Sequence, residues 1–483
     1  MESAYSRPLP TRAAPYPDQV IPVPRMSSAS RMHAVSPESH AIVDHVLEYT
    51  RRRALWEDIP LDTPASPEEL ARIAPMSITP QGIGAESALA LFGDVLAPTC
   101  LSTDHPGYLA FIPSAPSKAA TAFDLVVSAS SIYGGSWLEG AGAVHAENEV
   151  LTWLASEFGL PGTACGVFVQ GGTIGNLSAL VAARDEARRR LAAQGRPQPA
   201  RWAVVASVES HSSIASAASV MDIDIVDIHP DSDGRLHGHS VEDALAAHGD
   251  AVLAVVATAG TTNFGIIDDL AGIAEVTRRH GVWLHVDGAY GLAGALVPHM
   301  RPAYAGIEHA DSLVVDPHKW LFAPFDACAL IYREPTAALR AHTQHAEYLD
   351  TLTASAAPNP SDLAVQLTRR ARGLPLWFSL ATYGTDEYRA AIAHGIDLAH
   401  RLAAEIERRP GLSLVRRPQL SVVVFRREGW TQADYDAWCD RLLASQTAFV
   451  VPSSHEGEPV LRLAIINPLT TFELLCEVLD TLA

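Results

Sequence analysis

The chain has 483 residues, of which 48% are hydrophobic, so it can bury one large core and a smaller second one. Its formal net charge of −20 argues against a nucleic-acid partner, since proteins that bind the phosphate backbone concentrate positive charge. The apolar runs are only as long as strands, and the N-terminus lacks the apolar core of a signal peptide, so we expect no membrane span. Five cysteines without CxxC spacing are typical of reduced thiols in a cytoplasmic protein and predict neither disulfides nor a metal site.

The N-terminal region is predicted to contain a flexible arm and a helical segment. Residues 1–35 are rich in Pro, Ser and Ala with little periodic apolar content, which favours a flexible arm. In the segment 36–115, one helix is predicted to begin near Ser36 and another at Ser66, each followed by proline and glutamate. The apolar face of the first helix comprises Ile42, Val43, Val46 and Leu47. This segment has too little apolar surface to fold alone, so we expect it to pack on the main body or on a second subunit.

The remaining chain predicts a large α/β domain at 116–376 and a small α+β domain at 377–483. In the first, amphipathic helical stretches are found at 142–158, 175–192 and 268–280. Short β-branched runs, which predict strands, separate them at 166–169, 202–207, 252–257, 282–286 and 312–315. This alternation indicates a mostly parallel sheet covered by helices. The second domain is expected to contain helices at 385–408, 431–444 and the C-terminus, and strands near 412–416, 420–426 and 460–465.

Two polar residues follow buried-strand patterns and predict a cofactor site. Asp287 ends the run Trp283-Leu-His-Val-Asp287, and Lys319 follows the strand pattern 313–315. In a parallel sheet both would lie at the carboxyl edge, where ligands bind. A carboxylate and a lysine there suit pyridoxal 5′-phosphate (PLP): the amine condenses with its aldehyde, and the acid keeps its pyridine nitrogen protonated. The sequence around the lysine is core-like, so we expect burial to lower the pKa of Lys319.

A glycine-rich turn is the third element of this site. Gly171-Gly172-Thr173 follows the strand pattern 167–170 and opens a helix, so backbone N–H groups, the helix N-terminus and the Thr173 hydroxyl can bind a phosphate. A lone Gly-Gly-Thr would more simply be a tight strand-to-helix turn. With Asp287 and Lys319 downstream, we interpret it as the phosphate cradle.

In this order and spacing, the Gly-Gly-Thr turn, His211, Asp287 and Lys319 resemble the pyridoxal-dependent decarboxylases of the aromatic-amino-acid and glutamate type (group II). The resemblance spans roughly residues 36–480. It implies a PLP enzyme of fold type I that works as a homodimer. The chain departs from the family pattern at Ile174, where an acidic residue is usual, and at Asp316, where asparagine is frequent.

The resemblance implies a role for each matched residue. The cofactor would be held by Gly172, Thr173, His211, Thr258, Asp287, Ala289, His318 and Lys319. His211 and Ala289 would lie on opposite faces of its ring, and His318 would position the phosphate or the substrate carboxylate. Tyr348 would return a proton after CO₂ leaves, which makes it catalytic together with Lys319, His211 and Asp287. The substrate pocket, partly from the neighbouring subunit, would include Pro113, Ser114 and Trp137.

Simpler structural interpretations stay open for several of these residues. His211 could be a hydrogen-bonding loop residue, Trp137 could belong to the core, and Tyr348 could serve packing alone. Arg370 and Arg372 are most simply partners of acidic groups, although one of them could reach the phosphate.

The function expected from the resemblance is decarboxylation of an L-amino acid to an amine and CO₂. Four apolar or aromatic pocket candidates favour an aromatic or other hydrophobic substrate over glutamate: Tyr108, Phe111, Trp137 and Leu138. Three alternatives are retained. They are an aldehyde synthase or aminotransferase on the same fold, a decarboxylase of another side-chain class such as diaminobutyrate or glutamate, and a non-catalytic protein that keeps the fold.

Overall fold

A seven-stranded sheet forms the centre of the molecule, whose computed structural model describes residues 32–344 and 358–482. Its strands are β1 (Cys165–Val169), β2 (Ala203–Ser207), β3 (Asp224–Ile228), β4 (Val252–Thr258), β5 (Trp283–Asp287), β6 (Ser312–Val315) and β7 (Cys328–Tyr332). They lie in the order β1-β7-β6-β5-β4-β2-β3. β7 runs antiparallel to both of its neighbours, while β6, β5, β4, β2 and β3 pair in parallel. The predicted α/β class with a mostly parallel sheet is therefore confirmed.

Helices cover this sheet and flank it. In chain order they are α1 (Pro37–Ala54), α2 (Pro67–Ile73), α3 (Ala85–Leu91), α4 (Lys118–Ala129), α5 (Trp137–Glu157), α6 (Gly172–Ala193), α7 (Ser212–Met221), α8 (Gly238–His248), α9 (Leu270–His280), α10 (Pro317–Trp320), α11 (Thr336–His342), α12 (Leu374–Arg408), α13 (Gln432–Ala444) and α14 (Phe472–Asp480). α12 is interrupted at Gly384, whose φ of 78° and ψ of 165° are not helical. Across residues 32–344 and 358–482, no helix has both the length and the apolar content that crossing a membrane requires.

The sheet is buried on both faces, because alternate side chains of a strand point to opposite sides. In β2, Val204 packs into one buried apolar cluster and Val205 into another. The strand register then places Thr258 at the end of β4 beside Asp287 at the end of β5, and Asp287 beside Val314 of β6. As a result, the residues that follow these parallel strands meet at one edge of the sheet.

The C-terminal part of the chain forms a second, smaller core. Its antiparallel sheet consists of β8 (Leu412–Arg416), β9 (Val422–Arg427), β10 (Pro452–His455) and β11 (Glu458–Ala464), in the order β10-β11-β9-β8. Trp438 of α13 is fully buried in this core together with apolar residues of α12 and α14. The expected small α+β unit is confirmed.

The N-terminal helices differ from the rest of the chain because they bury no core of their own. α1, α2 and α3 contain no buried residue. α1 begins as predicted, since the Ser36 hydroxyl caps it by accepting the Ser39 backbone N–H. Its apolar face is open: Val43 is 54% exposed and Leu47 is 46% exposed. Much of this face is therefore left uncovered by the described part of the chain.

Three strands are absent from the sequence-based prediction, namely β3, β7 and β10. β3 and β10 are edge strands that place polar residues such as Asp224 and Ser454 at exposed positions, so the apolar pattern is lost. β7 is a short buried run that begins with Cys328 and Ala329, neither of which is a β-branched residue. The predicted bounds of two helices also start late. α5 begins at Trp137 and has a non-helical residue at Gly140, which separates its first residues from the rest of the helix, and α6 begins at Gly172 with glycine and threonine.

Candidate active site

A cavity of about 390 Å³ opens at the carboxyl edge of the parallel strands. Its volume lies within the range of small-molecule sites, about 300–1,000 Å³. The cavity brings together all eight residues predicted to hold the cofactor: Gly172, Thr173, His211, Thr258, Asp287, Ala289, His318 and Lys319. These residues end or follow five different strands, so the order of the sheet assembles them.

Thr258 and Asp287 are held in place from the protein side. Asp287 is buried, and its Oδ1 accepts a hydrogen bond from the Ala289 N–H at 3.1 Å. Its Oδ2 accepts one from the Asn176 amide at 2.9 Å. The Thr258 backbone N–H donates to the buried Asp268 carboxylate at 2.7 Å, and burial raises the pKa of Asp268 to about 7. Both residues are thus fixed before a ligand binds.

Lys319 lies in the one-turn helix α10, next to an acid that the sequence did not single out as its partner. Its Nζ is 3.0 Å from Asp316 Oδ2, and His318 Nε2 is 3.6 Å from the same oxygen. Burial opposes the ammonium charge, but the carboxylates of Asp316 and Asp287 outweigh burial and raise the pKa of Lys319. The expected lowering of this pKa is therefore wrong, because the apolar flanks of the lysine do not show the acid that lies beside it.

The neighbours of Lys319 respond to the same pair of charges. Burial by itself would raise the pKa of Asp316, but Lys319 and His318 hold that pKa below its usual range. Burial lowers the pKa of His318, whose Nδ1 lies 2.7 Å from the Ala327 carbonyl oxygen and 3.2 Å from the Ala327 backbone nitrogen. The lysine end of the cavity therefore contains an ammonium–carboxylate pair with an imidazole beside it.

Glycine at position 172 lets the start of α6 approach the cavity wall. A Cβ on Gly172 would lie 3.1 Å from the Ala289 Cβ, which is tighter than most real contacts. The Gly172 N–H donates to Asp316 Oδ2 over 3.4 Å, and no side chain caps the helix at Gly171. The positive end of the helix dipole is thus directed at the cavity, as a phosphate cradle requires.

A second glycine brings the body of α6 against the sheet. A Cβ on Gly175 would lie 2.6 Å from Val314 Cγ1 and 3.1 Å from Cys328 Sγ. Only glycine permits this approach without a shift of the helix. The close packing carries the next residue, Asn176, to the Asp287 carboxylate.

Two buried polar atoms of the cavity support the fit of PLP. Thr258 Oγ1 and Gln170 Oε1 have no hydrogen-bond partner among the described residues. A buried polar atom without a partner is costly, so such atoms indicate a ligand that supplies one. A lysine amine, a buried carboxylate and an uncapped helix N-terminus complete the groups that PLP needs. The residues present therefore fit this cofactor.

His211 combines a loop role with a place on the cavity wall. It is the N-cap residue of α7, and its Nδ1 accepts the Ser213 backbone N–H at 3.2 Å. The same nitrogen is 2.9 Å from the Ser213 hydroxyl. His211 thus makes the hydrogen bonds of the simpler interpretation while also lining the cavity.

The predicted substrate residues do not line this cavity within the described ranges. Ser114 is buried, and its hydroxyl donates to the Ala323 carbonyl oxygen at 3.1 Å; Pro113 beside it is buried as well. The Trp137 backbone N–H donates to Asn359 Oδ1 at 2.9 Å. The roles of Pro113, Ser114 and Trp137 in substrate binding stay predictions.

Tyr348 lies outside the described residues, and its catalytic role also stays a prediction.

The two candidate arginines, Arg370 and Arg372, both form ion pairs with acidic residues. Arg370 pairs with Asp124 at 2.9 Å, and Arg372 pairs with Asp326 at 2.8 Å. Their interpretation as partners of acidic groups is confirmed.

Asn176, Ser213 and His285 belong to the site but have no role in the sequence-based prediction. All three are buried and hydrogen-bonded to residues of the cavity or to one another. His285 could have been found, because it lies two residues before Asp287 on β5 and so on the same face. Asn176 is harder to find, since no local pattern shows that the start of α6 packs on β5.

A family model describes the same region of the chain. The pyridoxal-dependent decarboxylase conserved domain matches residues 67–428. The chain belongs to this family of pyridoxal-dependent decarboxylases. The decarboxylase is therefore a carboxy-lyase that uses PLP, and the resemblance drawn from the motifs is confirmed.

The decarboxylase is similar to relatives of more than one substrate class. It is 32% identical to an aromatic-L-amino-acid decarboxylase of Bacillus atrophaeus over 391 residues, 78% of this chain and 80% of the relative. It is also 32% identical to an L-2,4-diaminobutyrate decarboxylase of Rhizobium meliloti over 416 residues, 83% of this chain and 82% of the relative. The structure of Oryza sativa TDC with PLP and tryptamine matches with a TM-score of 0.83 at 26% identity, covering 95% of this chain and 99% of that one. Fold type I is thus confirmed, and decarboxylation is favoured over aldehyde synthesis, amino transfer and a non-catalytic role.

Proposed function

We propose that the decarboxylase converts an L-amino acid with an aromatic or other hydrophobic side chain to the amine and CO₂. The observation that carries the proposal is the convergence of Lys319, Asp287 and His211 on one cavity at the carboxyl edge of the sheet. The chain offers only two lysines, Lys118 and Lys319, and Lys118 is exposed at the start of α4. Lys319 is thus the single lysine in position to anchor a cofactor in this cavity.

Each residue of the cavity has a task on the protein side. When bound, PLP supplies an electron sink for the pair left at Cα as CO₂ departs. Asp287, fixed by two hydrogen bonds, would hold the pyridine nitrogen and favour its protonated form. Gly172 and Thr173 would hold the phosphate at the start of α6. Lys319 would hold the aldehyde carbon, and Asp316 would stabilise a proton on its Nζ.

An exposed aromatic side chain at the cavity, Phe325, supports a hydrophobic substrate. Phe325 lines the cavity, is 56% exposed and has its ring centroid 5.1 Å from that of His318. Phe111 is 58% exposed, and Arg462 donates both to its carbonyl oxygen and to that of Thr262, a residue of the cavity wall. Apolar walls with a few fixed polar groups are the usual lining of a small-molecule site. The Phe325 ring can pack on the side chain of a bound amino acid.

The charged groups at the same place are already paired. The Asp326 carboxylate lines the cavity but binds Arg372 at 2.8 Å, and Asp316 binds Lys319 at 3.0 Å. A diaminobutyrate ammonium or a glutamate carboxylate would compete with the pair of Asp326 and Arg372 at the cavity wall. The charged classes are therefore less favoured by this cavity than a hydrophobic class.

We also propose a homodimer, in which a second copy covers the N-terminal helices. The helices α1 to α3 have no buried residue, and the apolar face that includes Val43 and Leu47 is open. An apolar face of this kind on a folded chain indicates an interaction surface. A partner would also explain why Ser114 and Trp137 do not line the cavity of their own chain.

We further propose that the chain divides into its segments at residues 36, 116 and 377. A cytoplasmic location is proposed as well, and the five unpaired cysteines support it.

The substrate class is tested with purified holoenzyme and a panel of the twenty amino acids plus DOPA, ornithine and diaminobutyrate. CO₂ and amine are measured for each, and kcat/KM should be highest for an aromatic or branched aliphatic substrate. Phe325→Ala should raise KM for that substrate by about tenfold with an unchanged cofactor spectrum, and Phe325→Leu should raise it less. A preference for diaminobutyrate or glutamate would overturn the substrate class, and no CO₂ from any amino acid would overturn the function. A fully active monomer in light scattering would contradict the homodimer.

A further inference from the structure

Asn176 connects the two groups that are proposed to act on opposite parts of the cofactor ring. Its side chain is fully buried, and its Nδ2 donates both to Asp287 Oδ2 and to Ser213 Oγ, each at 2.9 Å. Ser213 Oγ lies 2.9 Å from His211 Nδ1. On the other side, Asn176 Oδ1 lies 2.8 Å from His285 Nε2. One amide thus joins Asp287, His211 and a buried histidine behind the cavity.

The direction of these hydrogen bonds follows from the end farthest from the cavity. The Trp283 indole N–H can only donate, and it donates to Ser312 Oγ at 2.8 Å. Ser312 can then donate its single hydrogen to His285 Nδ1, 2.8 Å away. Burial lowers the pKa of His285 to about 4, so the ring is neutral and carries its one proton on Nε2. That proton is donated to Asn176 Oδ1.

The cavity end requires the same direction. The Asp287 carboxylate only accepts, so Asn176 must turn its NH₂ group toward it. His211 Nδ1 faces two groups of Ser213, the backbone N–H at 3.2 Å and the hydroxyl at 2.9 Å, and only the hydroxyl can reverse its direction. The Ser213 hydroxyl accepts from Asn176 and donates to that same nitrogen. A neutral His211 therefore carries its proton on Nε2.

We propose that Asn176 is a positioning residue that fixes the tautomer of His211 and the orientation of Asp287 together. This inference rests on the proposed roles of His211 and Asp287 in decarboxylation. Because Nδ1 is occupied, His211 offers an N–H donor to a carboxylate in the cavity. Because each oxygen of Asp287 accepts an N–H group, the carboxylate stays oriented toward the proposed place of the ring nitrogen. A single buried amide thus sets one donor and one acceptor of the site.

NMR of histidine-selectively ¹⁵N-labelled holoenzyme tests the proposal, because protonated and unprotonated ring nitrogens have distinct shifts. His211→Gln and His285→Gln assign the two signals, and both rings should be protonated on Nε2. Asn176→Ala should turn the His211 signal into a mixture of tautomers and lower kcat by about 10²-fold, as expected for one lost donor to an active-site group. Ser213→Ala, which leaves Asn176 bound to Asp287, should change the His211 signal in the same way and lower kcat by about tenfold. Ser213→Thr keeps the hydroxyl and should restore both the signal and kcat.

Ser178→Ala is the matched control, since Ser178 is a buried serine on the same helix, where it accepts the Val365 N–H outside this hydrogen-bond chain. It should change neither the His211 signal nor kcat. Protonation of His211 on Nδ1 in the wild-type enzyme would overturn the proposal, and so would an unchanged signal and kcat in Asn176→Ala. If Asn176→Ala does not fold, the Ser213 pair decides in the same way. The NMR signal does not depend on turnover. If the protein shows the expected tautomer but decarboxylates no amino acid, the proposed function is refuted and the role of Asn176 in fixing the tautomer is not.

Discussion

The cofactor side and the substrate side of the active site are built in different ways. On the cofactor side, one chain assembles the polar groups at the sheet edge, and Asp287 and Lys319 are already hydrogen-bonded or ion-paired. On the substrate side, Phe325 is largely exposed, and the predicted residues Ser114 and Trp137 lie off the cavity. If the proposed roles hold, this difference separates the chemistry of the cofactor from the choice of substrate. Changes on the first side should alter the cofactor and kcat, and changes on the second should alter KM or the product.

The largest effect is expected from the cofactor anchor. Lys319→Ala should lower turnover by at least about 10⁴-fold, because the covalent anchor of the cofactor is lost. Mass spectrometry of borohydride-reduced, digested wild-type protein should place a pyridoxyl group on Lys319. Lys118→Ala is the natural control in a chain with two lysines, and it should keep full activity. A pyridoxyl group found on Lys118 instead would show that Lys319 does not anchor the cofactor.

Tyr348 tests whether the substrate side controls the product. Tyr348→Phe should bind the cofactor and release CO₂, yet form amine about 10³-fold more slowly, as expected for the loss of a general acid. Without that proton, the carbon that has lost CO₂ is left open to dissolved oxygen, so aldehyde, ammonia and peroxide should replace the amine. The measurement is the yield of amine and aldehyde per CO₂ in air. An unchanged amine yield and rate would show that another group delivers the proton.

Asp287 should show the opposite behaviour, with a changed cofactor and an unchanged product. Asp287→Asn should keep the cofactor bound with a shifted absorbance spectrum and lower kcat by about 10²-fold, as for the loss of one strong electrostatic contact. Asp326→Asn is the control, since Asp326 also lines the cavity but is paired with Arg372. If Asp287→Asn keeps a near-normal kcat at full occupancy, this carboxylate does not act on the ring nitrogen.

The smallest effect is expected from Asp316, and it concerns pH. The amine of Lys319 must be unprotonated to attack the aldehyde of PLP, and Asp316 helps to raise its pKa. In Asp316→Asn one of the two acids that oppose burial is gone, so the pKa of Lys319 should fall. Capture of PLP by cofactor-free protein should then be faster at neutral pH, with its midpoint at lower pH than in the wild type. The measurement is the rate at which absorbance at about 420 nm rises after PLP is added, taken as a function of pH. An identical midpoint in the variant and the wild type would contradict the prediction.

The cofactor side could largely be predicted from the sequence because its residues obey a local rule. Thr258 and Asp287 end apolar runs, and that pattern alone brings them to the sheet edge. The pairing of Asp316 with Lys319 could not be predicted, because it depends on how α10 turns its side chains together. Asn176 requires knowledge of which helix packs on which strand. On the substrate side, the resemblance of the sequence around Trp137 to a family segment does not predict which residues its side chain contacts.

Two glycines within helices of this protein should respond in opposite ways to substitution by alanine. Exchange of a helix glycine for alanine normally stabilises by up to about 1 kcal/mol, since glycine loses more backbone entropy on folding. Gly142 in α5 suits this rule, because a Cβ there would meet nothing within 4 Å. At Gly175 the added methyl group would collide with Val314 and Cys328 and push α6 off the sheet. Gly142→Ala should therefore raise the melting temperature, and Gly175→Ala should lower it. A higher melting temperature for Gly175→Ala would show that α6 can shift away from the sheet without a loss of stability.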